Sequence, residues 1–326
     1  GMKQDLLARL QHGTLLGDGG YLIGLERRGY VRSGSDQEKV GTGKGSGTFT
    51  PKVAIEHPTA LRALHEEFLR AGSQVLQALT FFATRAKLDR SGYGTETEAI
   101  NRAAVKIARD VAGERALVAG SVSRTQLFER EGPGAASQVR DLLREQIGFL
   151  QDAGADFLIL ETFFRVDEMR IALAEGKRTG LPMMATMSLR PTVTETTDGV
   201  PVVECARILA TEGAVLVGLN CEQEPARMLP ILREMRKGLP ATARLAAQPA
   251  AFRTTDAKPY FTGLPEFPDA METIQVTRAA FTEFTRAAKA EGVAYLGGCC
   301  GCNAAYIRAL ARGLRDAPAT ETSPPA

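Results

Sequence analysis

A chain of 326 residues with 44% hydrophobic and 24% charged residues has the balance of a globular enzyme and excludes a disordered or fibrous protein. Its 40 basic and 38 acidic residues leave a formal net charge of +2, which gives no electrostatic footprint for nucleic acid or an anionic membrane. A small metabolite is the expected partner.

The N-terminal segment KQDLLARLQHG is too mixed in charge for a signal peptide, and Gly1 ahead of Met2 reads as a tag remnant and is set aside. The sequence holds no run approaching the roughly 18 apolar residues of a membrane helix. A cytoplasmic location is therefore expected, where five cysteines serve as reduced thiols or metal ligands more readily than as a disulfide framework.

Eight short apolar, β-rich runs recur along the chain. In order they are LLGDGG (15–20), QVLQALTFF (74–82), ALVAGSV (116–122), DFLILETF (156–163), PMMATMSL (182–189), AVLVGLNC (214–221), RLAAQPA (244–250) and AYLGGCC (294–300). Amphipathic helical patterns at 59–72, 97–113, 138–154, 203–213 and 279–292 lie between them, each closing on glycine. Strands alternating with helices predict a parallel sheet covered by helices, and eight such units predict a single (β/α)8 TIM barrel over residues 1–316. An open doubly wound sheet is the alternative, because a pattern does not establish closure. Residues 33–50 are Gly/Ser-rich and predict a mobile loop after strand one; residues 251–275, with Pro259, Pro265 and Pro268, predict a structured loop after strand seven. Both follow strands, so both should overhang the C-terminal face, where barrel enzymes place their sites. Residues 317–326 are expected to form a disordered tail.

The cysteines carry the sharpest signal. Cys221 closes strand six in GLNC, and Cys299 and Cys300 close strand eight in GGCCG. Two strands separated by one other present their ends at one rim, so three thiolates can converge there as a zinc site with an open fourth position. Gly297, Gly298 and Gly301 would give the turn its room. Three other readings are buried small hydrophobes, a strained vicinal disulfide between Cys299 and Cys300, and Cys302 as a ligand in place of one of the pair. Cys205, inside a helical pattern, reads as core.

Two carboxylates mark the same rim: Asp18 in GDGG and Glu161 in LETF, where a substrate amino group could be held by a charge-assisted bond. Asp18 could instead cap an Asx turn, and Glu161 could pair with Arg165. Gly19 and Gly20 would bring backbone N–H groups to a substrate carboxylate. Gln248 would hydrogen-bond the same ligand, or else loop backbone. The three histidines, His12, His57 and His65, precede or lie in the first helical region, which argues against a Ser-His-Asp or Cys-His mechanism. GTGKGSG (41–47) lacks the order of a phosphate-binding loop and reads as a linker.

GDGG, LETF, GLNC and GGCCG, in this order, resemble the homocysteine S-methyltransferase family, and its betaine-using members in particular. LHEEFLRAGSQVLQALTFFATRAKL (64–88), the QP pair (248–249) and LPEFP (264–268) add to the resemblance, which runs from about residue 9 to about 315. It implies Cys221, Cys299 and Cys300 as Zn2+ ligands, and Asp18, Glu161 and the Gly19 backbone as the holders of homocysteine. It also implies that a methyl group passes from an onium donor, betaine-like or methylsulfonium, to the homocysteine thiol, giving methionine. Aromatic faces attract such donors, and Phe49, Phe81 and Phe82 are the candidates. Phe49 aligns, across the inserted loop, with a tryptophan of the betaine enzymes, Phe82 replaces a tyrosine, and Thr162 replaces another. Vertebrate members use a C-terminal extension in oligomer contacts, so a monomer or simple dimer is expected for this chain. A zinc- or thiol-binding barrel without catalysis, or a module serving a corrinoid partner, are the other functional readings.

Overall fold

The computed structural model describes residues 5–31, 47 and 49–316. Most of the Gly/Ser-rich loop expected at 33–50, and the tail expected at 317–326, lie outside the described residues.

Eight parallel strands occur in the expected order: β1 (Leu15–Leu16), β2 (Val75–Gln77), β3 (Leu117–Ser123), β4 (Phe157–Phe163), β5 (Met183–Met187), β6 (Leu216–Asn220), β7 (Arg244–Gln248) and β8 (Val293–Leu296). Each is followed by a helix on the outside: α1 (Pro58–Ala71), α2 (Thr97–Ala112), α3 (Ala136–Asp152), α4 (Val166–Lys177), α5 (Val202–Thr211), α6 (Pro225–Arg236), α7 (Arg278–Ala290) and α8 (Ala304–Asp316). The ladders run β2 to β8 in sequence, and β8 then pairs with β1. Between β1 and β2 the ring is joined by Gln74, whose N–H donates to the Leu16 carbonyl at 2.8 Å and whose Oε1 accepts from the Leu16 N–H at 2.9 Å. The open-sheet alternative is thereby set aside, and the chain folds as a (β/α)8 barrel.

Alternation along each strand divides the apolar residues between two cores. Inward-facing Leu15, Val75, Leu117, Phe157, Ile159, Met184, Leu216 and Tyr295 fill the barrel interior. The short helix Leu6–Leu10 plugs the N-terminal end with Leu6 and Leu10, each contributing about 2 kcal/mol by burial. Outward-facing residues meet the helices; α2, for example, buries Ile100, Ala104, Val105, Ala108 and Val111 at three- and four-residue spacing. The glycines that close the helical patterns take positive φ, as at Gly72 (+119°), whose N–H bonds back to the Leu69 carbonyl.

Two strands are shorter than their apolar runs. β2 ends at Gln77, because Thr80 Oγ1 donates to the Ser121 carbonyl at 2.7 Å and Phe82 takes φ +60°, turning the chain onto the rim. β8 ends at Leu296, although the Gly297 N–H still reaches the Ala247 carbonyl at 3.0 Å. The long segment after β7 is structured as expected: Phe252, Phe261, Leu264, Phe267, Met271 and Ile274 pack together over Cys221, Cys299 and Cys300. Among the described residues, no helix is long and apolar enough to cross a membrane.

Candidate active site

A cavity of about 380 Å³ opens at the C-terminal face of the barrel, at the ends of the strands where such enzymes work. Its wall takes in Gly19, Gly20, Gln77, Phe81, Phe82, Ser121, Glu161, Gln248, Cys221, Cys299 and Cys300. Residues far apart in sequence therefore meet because each lies near or just beyond the C-terminal end of a strand.

Cys221 follows β6 directly, and Cys299 and Cys300 follow β8. Their Sγ atoms all lie within 4.8 Å of one another. Cys299 and Cys300 are separate thiols, so no vicinal disulfide forms. Hydrogen bonds from Cys299 and Cys300 hold Cys221 well below the usual thiol range, and those same contacts push the Cys299 and Cys300 thiols well up. Three sulfurs this close form a soft donor set that a cation would complete, of the kind zinc favours. Cys302 stays apart: it is 1% exposed, and its Sγ meets the Pro249 carbonyl at 3.5 Å. Cys205 packs in α5, where burial pushes its thiol up to about 12.

The tight turn that joins Cys299 to Cys302 uses glycine in two ways. Gly301 takes φ +84°, which β-carbon-bearing residues resist. Gly19 lies so close that a Cβ there would stand 2.2 Å from the Cys302 carbonyl oxygen, so β1 and the cysteine turn pack backbone to backbone. Gly297 and Gly298 keep ordinary φ; what they allow is close packing, against Gln248 and Cys302 respectively.

Glu161 lines the cavity at 8% exposure and accepts hydrogen bonds from Gln77 Nε2 and, at 2.6 Å, from Ser121 Oγ. Burial raises its pKa to about 7; the Ser121 and Gln77 bonds oppose the rise, and the charges of Cys221 and Asp18 reinforce it. Arg165 pairs with Asp167 at 2.7 Å, so it is not the partner of Glu161. Asp18 is fully buried beneath the cavity wall and accepts at Oδ2 from the Gln77 N–H (2.8 Å) and the Tyr21 hydroxyl. The Asx turn does not form, since the Gly20 N–H goes to the Cys302 carbonyl. Asp18 Oδ1 has no partner, and burial raises this carboxyl to about 7 against the bonds from Gln77 and Tyr21. Gln248 Oε1 is likewise buried without a partner. Two buried acceptors, one behind the cavity wall and one on a wall residue, thus lack a hydrogen-bond partner.

The aromatic set differs from expectation. Phe81 is half-buried on the wall, its ring centroid 4.2 Å from that of Phe82. The Phe82 ring already carries the Lys87 ammonium 4.3 Å from its centroid. Phe49 does not line the cavity, and its ring faces the Lys52 ammonium at 5.5 Å. The wall instead gains Tyr21, Tyr260, Phe261 and Phe267, the last three from the segment after β7.

Sequence reasoning did not single out several residues that build the site. Gln77 and Ser121 hold Glu161. Tyr21 joins Asp18 to His65, whose Nδ1 lies 2.7 Å from the Tyr21 hydroxyl; burial lowers this histidine to about 3, so it is neutral. Asn220 fastens Thr162 beside Glu161. Arg124, Arg190 and Glu222 also line the cavity. One signal could have found some of them, since Asn220 stands inside GLNC and Tyr21 directly after GDGG. Phe82, Gln126, Thr162, Cys221 and Glu222, the five non-glycine residues with positive φ among those described, all lie on the cavity wall. Backbone strain of about 1 kcal/mol or more at each is concentrated where the side chains must point inward.

The family model described as homocysteine S-methyltransferase matches residues 15–314. The betaine–homocysteine S-methyltransferase 1 of Mus musculus is 40% identical over 99% of this chain and 77% of its own length. The S-methylmethionine–homocysteine S-methyltransferase of Pongo abelii is 38% identical over 100% of this chain and 85% of its own. Among solved structures, the metallated form of the homocysteine methyltransferase MmuM from Escherichia coli superposes with a TM-score of 0.73 at 23% identity, covering 95% of this chain and 99% of that one, a likeness of fold. On the whole-length family match and these relatives, the chain belongs to the homocysteine S-methyltransferase family.

Proposed function

We propose that this chain transfers a methyl group from an onium donor to the thiol of homocysteine, giving methionine, at a zinc ion held by Cys221, Cys299 and Cys300. The observation that carries the reading is the convergence of three sulfurs within 4.8 Å of one another on a cavity that also holds a buried carboxyl with a pKa near 7. When bound, zinc would act as a Lewis acid that favours the ionised form of the acceptor thiol, whose free pKa of about 8.5 keeps it protonated at neutral pH. The chain's own residues do the rest. Glu161, oriented by Gln77 and Ser121, receives the acceptor's ammonium on the cavity wall, and Asp18, buried behind that wall with Oδ1 unpartnered, adds its negative charge. Gln248 Oε1 accepts a further N–H. Phe261 and Phe267 exclude water from the thiol side of the cavity.

The transfer balances without a redox cofactor. The homocysteine thiol releases its proton to solvent, and its sulfur attacks the methyl carbon. The bond from that carbon to the onium nitrogen or sulfur breaks, and its electron pair leaves with a now neutral amine or thioether. The barrel's contribution is to hold the reacting atoms in line. A two-substrate assay of reduced, zinc-supplied protein without added cobalamin tests this reading: methionine should form with at least one onium donor. Zinc binding without turnover of any betaine or methylsulfonium donor would overturn it.

A pH dependence follows from the two carboxyls. Each is raised to about 7 by burial, so below that pH each is neutral in the substrate-free enzyme and offers no charge to an ammonium. Homocysteine binding should therefore strengthen as pH rises through 7. In a profile of kcat/KM for homocysteine, the acid limb should fall by between about tenfold and about a hundredfold per pH unit below 7, since two carboxyls titrate there. Glu161→Gln should reduce that limb to the Asp18 contribution, at most about tenfold per pH unit, and an unchanged slope in the variant would remove the assignment.

A further inference from the structure

The last two helices enclose a second, quite different surface, and we infer that the groove between α7 and α8 docks an acidic helix of a partner protein. The two helices lie side by side on the outside of the barrel. Thr282 Oγ1 of α7 donates to the Ala309 carbonyl of α8 at 3.1 Å, and Gly313 packs so closely that a Cβ there would stand 2.6 Å from the Thr285 Cβ. Along their outer seam runs a shallow groove of about 720 Å³, which shares no lining residue with the active-site cavity. Arg278 and Arg286 of α7 and Arg308 and Arg312 of α8 line it. Spacings of four and eight residues put each pair on one face of its helix.

The acids at the groove do not neutralise it. Asp316 sits between Arg286 and Arg312, at 3.8 and 3.5 Å, and Glu283 is the other acid. Arg278 and Arg308 are exposed, and among the described residues neither has a carboxylate within 4.0 Å. Four arginines against two acids leave an excess of two positive charges, equal to the formal net charge of the entire chain. Setting these six residues aside from the 40 basic and 38 acidic ones leaves 36 of each, so the rest of the chain balances. Arg278 is also the first residue of α7, where the positive end of the helix adds to its potential.

Charge and shape together favour a helix bearing carboxylates. Guanidinium groups fork carboxylates in bidentate pairs. A rise of about 1.5 Å per residue puts Arg278 and Arg286 about 12 Å apart along α7, and Arg308 and Arg312 about 6 Å apart along α8. Glutamates one and two turns apart on a third helix laid in the groove repeat those spacings. Ala279, Thr282 and Ala305, small side chains between the arginines, let its backbone come close. A nucleic-acid strand fits less well, because Glu283 interrupts the positive surface and no aromatic ring lines the groove to stack a base.

The test measures fluorescence anisotropy of a labelled peptide of about four Glu-Ala-Ala-Ala repeats, and of its Gln-Ala-Ala-Ala counterpart, against the full chain at about 50 mM salt. The glutamate peptide should bind at least about tenfold more tightly than the glutamine one. Arg308→Glu and Arg278→Glu should each weaken it about tenfold or more. Arg140→Glu, which reverses one exposed charge on α3, should change it less than about twofold. Thermal unfolding of Arg308→Glu should match the wild type; should it fall, Arg308→Gln gives the same comparison with a loss of about threefold. An equal loss in Arg140→Glu would reduce the effect to diffuse attraction. Tighter, Arg308-dependent binding of an oligothymidylate would assign the groove to nucleic acid, and Arg308-dependent self-association in sedimentation would assign it to a second copy of this chain. Each of these results, or no measurable binding of the glutamate peptide, would overturn the acidic helix.

Discussion

Replacing Cys299 with alanine should abolish stoichiometric zinc and lower methionine formation by more than about 10³-fold. The size comes from two separable losses. Without a Lewis acid the acceptor thiol, with a free pKa of about 8.5, is only a few per cent ionised at pH 7, a factor of roughly 30. Without an anchor the sulfur is no longer held beside the methyl group, and proximity contributes at least a comparable factor. The other two sulfurs do not compensate, because Cys221 and Cys300 alone leave a two-ligand set, and Cys302 points elsewhere, toward the Pro249 carbonyl. Metal analysis of purified Cys299→Ala beside Cys302→Ala makes the comparison sharp. Cys302→Ala should keep about one zinc per chain and lose about 1 kcal/mol of stability from a buried thiol. Full activity in zinc-free Cys299→Ala would refute the metal mechanism, and zinc loss in Cys302→Ala would redraw the ligand set.

The contrast between these cysteines shows how much of the site the sequence displays. Strand ends are legible because apolar runs alternate with amphipathic helices, and a cysteine directly after such a run must stand on the rim. That logic places Cys221, Cys299, Cys300 and Glu161 at the cavity. It also puts Asp18 at the rim, but cannot say that its side chain turns down beneath the wall, a result of hydrogen bonds from Tyr21 and Gln77. The aromatic candidates were less legible for a similar reason. Phe82 ends an apolar run, yet its open face is decided by Lys87, five residues on and folded back over the ring. Tyr260 and Phe267 sit in an irregular segment with no period to read. Arg124 and Arg190 follow different strands, and their meeting over Phe164 depends on the ring order of β3, β4 and β5. Local pattern carries what a strand end exposes; it does not carry which loop side chains meet there.

Asn220 joins the two kinds of information, and its removal should be the most damaging change that touches no proposed ligand. It ends β6 immediately before Cys221 and is 1% exposed. Its Oδ1 accepts from the Thr162 N–H at 2.8 Å and from Thr186 Oγ1 at 2.9 Å, and its Nδ2 donates to Thr162 Oγ1 at 2.8 Å. Thr162 follows Glu161 and holds φ +58°, a conformation that costs about 1 kcal/mol or more and persists only under constraint. Asn220→Ala would leave a buried N–H and two hydroxyls without partners, at roughly 1 kcal/mol or more each, so a loss of about 3–5 kcal/mol is expected. For a barrel of this size that corresponds to a fall of about 5–8 °C in Tm. The released Thr162 should relax toward negative φ, swing Glu161 off Ser121 and Gln77, and lower kcat/KM for homocysteine about 100-fold at a pH where the folded state is intact. Thr186→Val removes only one of the three bonds and should cost about 1 kcal/mol with homocysteine KM unchanged. Calorimetry and steady-state kinetics on the two variants decide the point. A wild-type Tm together with a wild-type homocysteine KM in Asn220→Ala would show that Thr162 holds its strained backbone without the asparagine, and that Glu161 is positioned by Ser121 and Gln77 alone.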